Sequence, residues 1–207
     1  MGRKTKITKE MILDAAYELL DEAGIGAVAI KSIAQKLQCS TQPISWQFGS
    51  MTELKKELFI YAGRRLFAEL PGKMEGHDAV NAFFISGVYY ITIACDHPKV
   101  FRFIIVDDPI ETVGEDLFGE GTIFSDQFNR QAVEQLCAKY PIAPEKIAET
   151  VKNTVIYTHG LAVMMIWDHF RMPKKEACRM MFDMGILMLK EIGIEEPDFR
   201  FEDAYIE

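Results

Sequence analysis

The chain has 207 residues and only four cysteines, at positions 39, 95, 137 and 178, none in a C-x-x-C spacing. That excludes a disulfide framework and the usual sequence signature of a zinc site. No secretory signal is visible, because the first ten residues are polar and charged. Reduced thiols and a cytoplasmic location are expected. Apolar runs such as Gly160–Trp167 look far too short to span a bilayer, so no membrane association is expected. There is no strand-like alternation, internal repeat or low-complexity stretch. H-E-x-x-H, a Gly-rich phosphate loop and G-x-S-x-G are all missing, and His159 and His169, ten residues apart, fall on different faces of one helix. Neither an enzyme nor a metal or cofactor protein is expected.

Positive charge is also in short supply. The net charge is −8, which argues against a protein that coats nucleic acid non-specifically. The imbalance is uneven, however. Residues 1–56 hold eight Lys/Arg against six Asp/Glu, and the remainder holds fifteen against twenty-five. Arg3, Lys4, Lys6 and Lys9 make a basic arm on an acidic body, able to approach a phosphate backbone at one end only.

The chain reads as all-α. Helix 1 is expected from about Thr8, its cap, to Ala23. Ile12, Ala15, Ala16, Leu19, Leu20 and Ala23 recur at three- and four-residue steps, and Gly24 sits just past the end. A second helix, about Ile30–Leu37, repeats the pattern with Ile33, Ala34 and Leu37. After a turn at Gln38-Cys39, Ser40 is the expected cap of a third helix. There Pro43 falls in the first turn, Ile44 and Phe48 point inward, and Gln42, Ser45 and Trp46 share an outer face. A polar, aromatic-tipped helix held up by two amphipathic ones has the layout of a helix-turn-helix DNA reader. Later helices are expected over about 52–70, 78–95, from Pro98, 122–139, 144–170 and from Pro173 to Gly193. A loop or lid is expected over 109–121, and an acidic, frayed tail at the end. These divide the chain into an N-terminal three-helix DNA-binding domain (1–54), a connecting helix (55–76) and a C-terminal helical domain for ligand binding and dimerisation (77–207), about nine helices in all.

Ile12-Leu13-x-Ala15-Ala16, Gly24, Ile33-Ala34, Ser40, Ile44, Phe48 and Leu54, at these offsets, resemble the TetR/AcrR family of bacterial transcriptional regulators. The likeness covers about a quarter of the chain. The rest agrees in layout, with a long connecting helix, a helix opening at His97-Pro98, and two final Pro-initiated helices. The resemblance implies a homodimer that binds a palindromic operator, usually as a repressor, and lets go when a small effector binds. Departures are visible. Gln38 and Cys39 stand where the family has Gly and a small aliphatic residue, Ser45 where a phosphate-contacting tyrosine is common, Met51 in place of a lysine, and Ala29 in place of a capping threonine. They keep a second reading open, a helical interaction or sensor protein whose helix-turn-helix no longer binds DNA.

For the DNA-reading surface, Gln42 and Gln47 offer amides that suit adenine, while Thr41 and Pro43 can lie against a thymine methyl. Trp46 and Ser45 suit sugar-phosphate contacts. Lys31, Arg3, Lys4 and Lys6 supply charge. The bland alternative leaves both glutamines solvated and has Trp46 cap a small core. One such unit touches too few bases to be selective, so a two-fold dimer on double-stranded DNA is expected. Its pairing surface is placed on the last two helices, at Val163, Ile166, Trp167, Met184, Leu187 and Met188.

Residues 78–170 are rich in aromatics and methionine, which suits a pocket for a hydrophobic ligand and equally suits a plain core. The candidate lining is Tyr90, Phe103, Asp107, Phe124, Phe128, Tyr157 and Met164. Asp107, Asp108 and Glu111 would favour a cationic form of that ligand.

Overall fold

The computed structural model describes residues 7–114, 126–195 and 200–205, with the side chains of 126–129 and 131 left aside. Among these residues every regular element is helical. The segments are α1 (Lys9–Ala23), α2 (Ile30–Lys36), α3 (Gln42–Phe48), α4 (Met51–Leu66), α5 (Leu70–Met74), α6 (Ala79–Asp96), α7 (Pro98–Phe101), α8 (Pro109–Val113), α9 (Asp126–Lys139), α10 (Pro144–Met165), α11 (Lys174–Glu191) and α12 (Phe201–Ala204). The extra segments over the expected nine are single turns. The connecting helix, expected to run to residue 70, ends at Leu66, and the chain restarts as the short α5. The chain forms two compact units, one from 1–67 with 97–116, the other from 68–96 with 117–207.

In the first unit, local signals set the helix ends. Thr8 Oγ1 accepts from the Met11 amide at 3.2 Å, as its place before α1 predicts. Ser50 does the same for Glu53 at the start of α4. The periodic apolar positions close into a core in which Ile12, Ala16, Leu20, Ile33, Ile44 and Leu58 are fully buried. Each large aliphatic among them contributes roughly 1.5–3 kcal/mol by burial. The returning segment packs into the same unit. Pro98 opens α7, which runs into a π-helical turn over Arg102–Val106. His97 Nδ1 lies 3.0 Å from Asp21 Oδ2 on α1, and Lys99 bonds the Glu22 carbonyl. Phe103 meets Phe59 of α4 edge-on, with centroids 5.6 Å apart. On α4 as well, Tyr61 and Arg65 both bond the Asp14 carboxylate.

The second unit is built around α6. Nine of its side chains, from Val80 to Ala94, are buried there. This corrects the expectation that every apolar segment is too short to span a bilayer, because α6 alone among the described helices meets the length and composition needed. About half of α6 is buried within the second unit. On α10, Thr154 and Thr158 are buried, and each hydroxyl donates to the carbonyl four residues earlier, at 2.9 and 2.7 Å. The tail is not frayed over residues 200–205. Phe201 is buried edge-on against Phe182 at 5.8 Å, and Glu202 pairs with Arg179 at 2.7 Å.

Candidate nucleic-acid interface and sensor residues

Pro43 sits in the first turn of α3, where its missing N–H leaves no bond unmade. The expected Ser40 cap is not formed. α3 starts after Thr41, which has helical backbone angles and makes no side-chain cap. Ile44 and Phe48 anchor the helix inward, and Thr41, Gln42, Ser45 and Trp46 are exposed on it. Trp46 is 84% exposed, so it does not cap the core. Lys31 is exposed on α2. Pro43 and Gln47 are half-buried, and Gln47 Nε2 donates to the Ile7 carbonyl at 3.0 Å. Arg3, Lys4 and Lys6 lie outside the described residues.

Two features of this region go beyond the sequence reading. Gln38 holds φ at +50°, the left-handed region that favours glycine, at the position where the related pattern has glycine. That departure is the signal that could have found it. Lys9 is not a free cation of the arm. Its Nζ lies 2.6 Å from Glu57 and 5.3 Å from the centroid of the Phe48 ring. No local signal reveals this, since both partners are about forty or more residues along the chain.

The proposed pocket lining is divided between the two units and the residues outside the description. Phe103 is fully buried in the first unit against Phe59, a core residue there. Asp107 belongs to the same unit, and burial raises its carboxyl pKa while Arg102 opposes the shift. Tyr90, Tyr157 and Met164 belong to the second unit. Phe124 and the Phe128 side chain lie outside the described residues. At about 100° per residue, Tyr157 and Met164 share one face of α10, whereas His159 is turned well away from both. It is His159 that meets Tyr90: Nδ1 and the phenol oxygen are 2.9 Å apart. Burial lowers the His159 pKa and raises that of Tyr90, so both are held neutral.

Among the intended pairing residues, Trp167 is 52% and Leu187 is 54% exposed, while Val163, Ile166, Met184 and Met188 are half-buried. Trp167 lies just past the end of α10. Met188 is partly internal, its sulfur 3.4 Å from Thr154 Oγ1. Ile156, 59% exposed, and Met180 add apolar surface on the same two helices. His169 falls beyond α10 altogether, so it does not share a helix with His159.

Residues 12–58 match a family described as bacterial regulatory proteins, tetR family. A Bacillus subtilis (strain 168) protein named uncharacterized HTH-type transcriptional regulator YobS is 20% identical over 102 residues, 49% of this chain and 53% of that protein. The likeness thus spans about half the length of that relative. A TetR-like transcriptional regulator from Rhodococcus sp. RHA1 superposes with a TM-score of 0.64 at 14% identity, covering 94% of this chain and all of the other. A TetR variant from Acinetobacter baumannii AYE, solved in complex with minocycline, gives 0.59 at 16% identity, with 92% and 100% covered.

Proposed function

This chain belongs to the TetR family of transcriptional regulators through its N-terminal domain, and on that premise we propose that it is a ligand-responsive regulator binding a palindromic operator as a homodimer. Residues 1–54 read DNA, 55–76 transmit, and 77–207 sense an effector and pair the protomers. The observation that carries the reading is the outer face of α3, where Thr41, Gln42, Ser45 and Trp46 stand exposed on a helix anchored by Ile44 and Phe48. A helix of this size enters the major groove, and its exposed polar residues meet base edges and phosphates.

The regulator acts as a repressor in the cytoplasm, without cofactor or catalysis. Its effector is small and hydrophobic. Within the second unit, Tyr90 and His159 supply a polar contact. The minocycline complex of the Acinetobacter protein is a precedent for a small molecule held by this fold. Effector binding shifts α7, and within the first unit that shift reaches α4 through the π-helical turn after α7, where Phe103 packs on Phe59. A ligand acts this way only through unequal affinity for two states, so effector and DNA weaken each other reciprocally.

The test is selection of random duplex DNA against the purified protein, followed by binding of the enriched sequence at two salt concentrations. Enrichment of a palindrome bound by a dimer supports the reading. Failure to enrich any sequence, with only feeble salt-sensitive binding, favours the alternative of a degenerate helix-turn-helix in a sensor protein.

A further inference from the structure

Tyr90 of α6 and His159 of α10 are both half-buried, and they meet at 2.9 Å between helix walls that carry no formal charge. α6 has no Asp, Glu, Lys or Arg from Ala79 to Cys95, and α10 has none from Asn153 to Met165. Along the two helices the nearest charged side chains are Asp96, which follows Tyr90, and Lys152, which precedes His159. Helical rise sets each about 9–10 Å along the axis from the contact, more than the screening length of about 8 Å in physiological salt. Asp96 is also paired with Lys174 at 2.9 Å, and Lys152 is exposed to water. Burial moves the pKa of both groups away from ionisation, so the pair is itself neutral. Phe83 on α6 and Val155 on α10, both half-buried, add apolar surface one or two turns away. The acids Asp107, Asp108 and Glu111 belong to the first unit.

An ion brought to this contact gives up its hydration and finds no counter-charge on either helix wall. An alcohol exchanges hydrogen bonds with water for hydrogen bonds with the pair. Its oxygen can take the place of the direct bond, accepting from the Tyr90 hydroxyl while its own O–H donates to Nδ1 of the neutral imidazole. A carbonyl can only accept, and satisfies one partner of the two. We propose that the effector is an uncharged hydrophobic molecule bearing a hydroxyl group, and that Tyr90 and His159 bind that group. The inference rests on the effector-binding reading above.

The test titrates the full-length protein, near neutral pH, with two series of probes by isothermal calorimetry. One is decanol, decanoate and decyltrimethylammonium, each below its micellar concentration. The other is naphthalenemethanol, naphthoate and naphthylmethylammonium. Wild type is expected to bind at least one alcohol, at least about tenfold more tightly than the charged analogues of that alcohol. Tyr90→Phe keeps the ring and lacks the hydroxyl. It is expected to weaken alcohol binding about fivefold, the worth of one net hydrogen bond, and to leave the feeble binding of the ions as it was. If Tyr90→Phe does not fold, judged by its unfolding midpoint, His159→Phe replaces it under the same criteria. A charged probe that binds as tightly as its alcohol overturns the uncharged class and leaves the effector reading standing. Alcohol binding that the substitution leaves unchanged lies elsewhere on the protein and overturns the assignment to Tyr90 and His159. Binding of none of the probes overturns the hydrophobic-effector reading itself.

Discussion

His159 Nδ1 and the Tyr90 hydroxyl meet at 2.9 Å between α10 and α6, two helices of the second unit. Burial holds the imidazole below its ordinary value of 6.5. In the unfolded chain the same group takes up its proton near 6.5. Between the two values the unfolded state binds more protons, so stability falls as pH falls. The loss begins as pH drops through 6.5 and is complete below the folded value. The melting temperature of wild type should therefore drop more steeply from about pH 7.5 to about pH 5.5 than that of His159→Asn, which keeps a polar group beside Tyr90 and does not titrate. Parallel slopes would show that His159 is not the group responsible.

Gly185 of α11 is required by a close approach. A Cβ there would stand 2.5 Å from Cε1 of Phe84, whose ring is fully buried and packed 4.7 Å from Phe182. Gly185→Ala should lower stability by about 1–3 kcal/mol, as overpacking does. Gly87→Ala is the contrast. Its Cβ meets Met181 Sδ at 2.9 Å, and a flexible thioether can yield where a clamped ring cannot. Urea unfolding midpoints should place Gly185→Ala below Gly87→Ala, and a reversed order would contradict the packing argument.

Two departures from the family pattern in the DNA-reading domain leave stability unclaimed, for different physical reasons. Gln38 holds a left-handed backbone that costs a residue with a Cβ more than glycine. Ala29 stands at the cap of α2 with extended angles, φ −137° and ψ 152°, and no side-chain oxygen to accept the first amides. Gln38→Gly should stabilise by roughly 0.5–1 kcal/mol after glycine's own entropy is counted. Ala29→Ser should add about 1 kcal/mol. Denaturant titration of the full chain checks both, and a loss of stability in either variant would count against the assigned cause.

Local rules made much of this legible. The three- and four-residue recurrence of Ile12, Ala16 and Leu20 marks the buried face of α1, and Thr8 and Pro98 stand where capping chemistry places them. What escaped depends on distant chain. Gly63 is carried inside α4 and the next breaker is Pro71, so the end of α4 at Leu66 has only a weak sequence signal. Phe103 reads like a pocket residue by composition and is a core residue because the chain returns to the first unit at His97. Gln47 and Gln42 are the same residue type on the same short helix, yet Gln42 is exposed while Gln47 is half-buried and bonded to the Ile7 carbonyl, a partner 40 residues away.

The proposed pairing surface lies on α10 and α11. Ile156, Gly160 and Val163 recur along α10, and Met180, Met184 and Leu187 along α11, at spacings that set each trio on one face. Ile156 and Leu187 are 59% and 54% exposed. Nothing lies within 4 Å of the Gly160 Cβ position, so backbone from another molecule can approach closely there. Exposed Lys152, Asp183 and Lys190 supply polar groups on the same two helices. Large apolar side chains exposed at such spacing suit burial against a second molecule. Placing a carboxylate at its centre, where pairing would bury it without a counter-ion, is costly. Leu187→Glu should therefore sediment as a monomer at micromolar concentration where wild type sediments as a dimer, with its thermal unfolding little changed, since Leu187 is already half in water. The monomer should also lose at least about 100-fold in affinity for a palindromic duplex and keep the weak binding of a single half-site. A Leu187→Glu protein that remains dimeric would move the interface off α10 and α11.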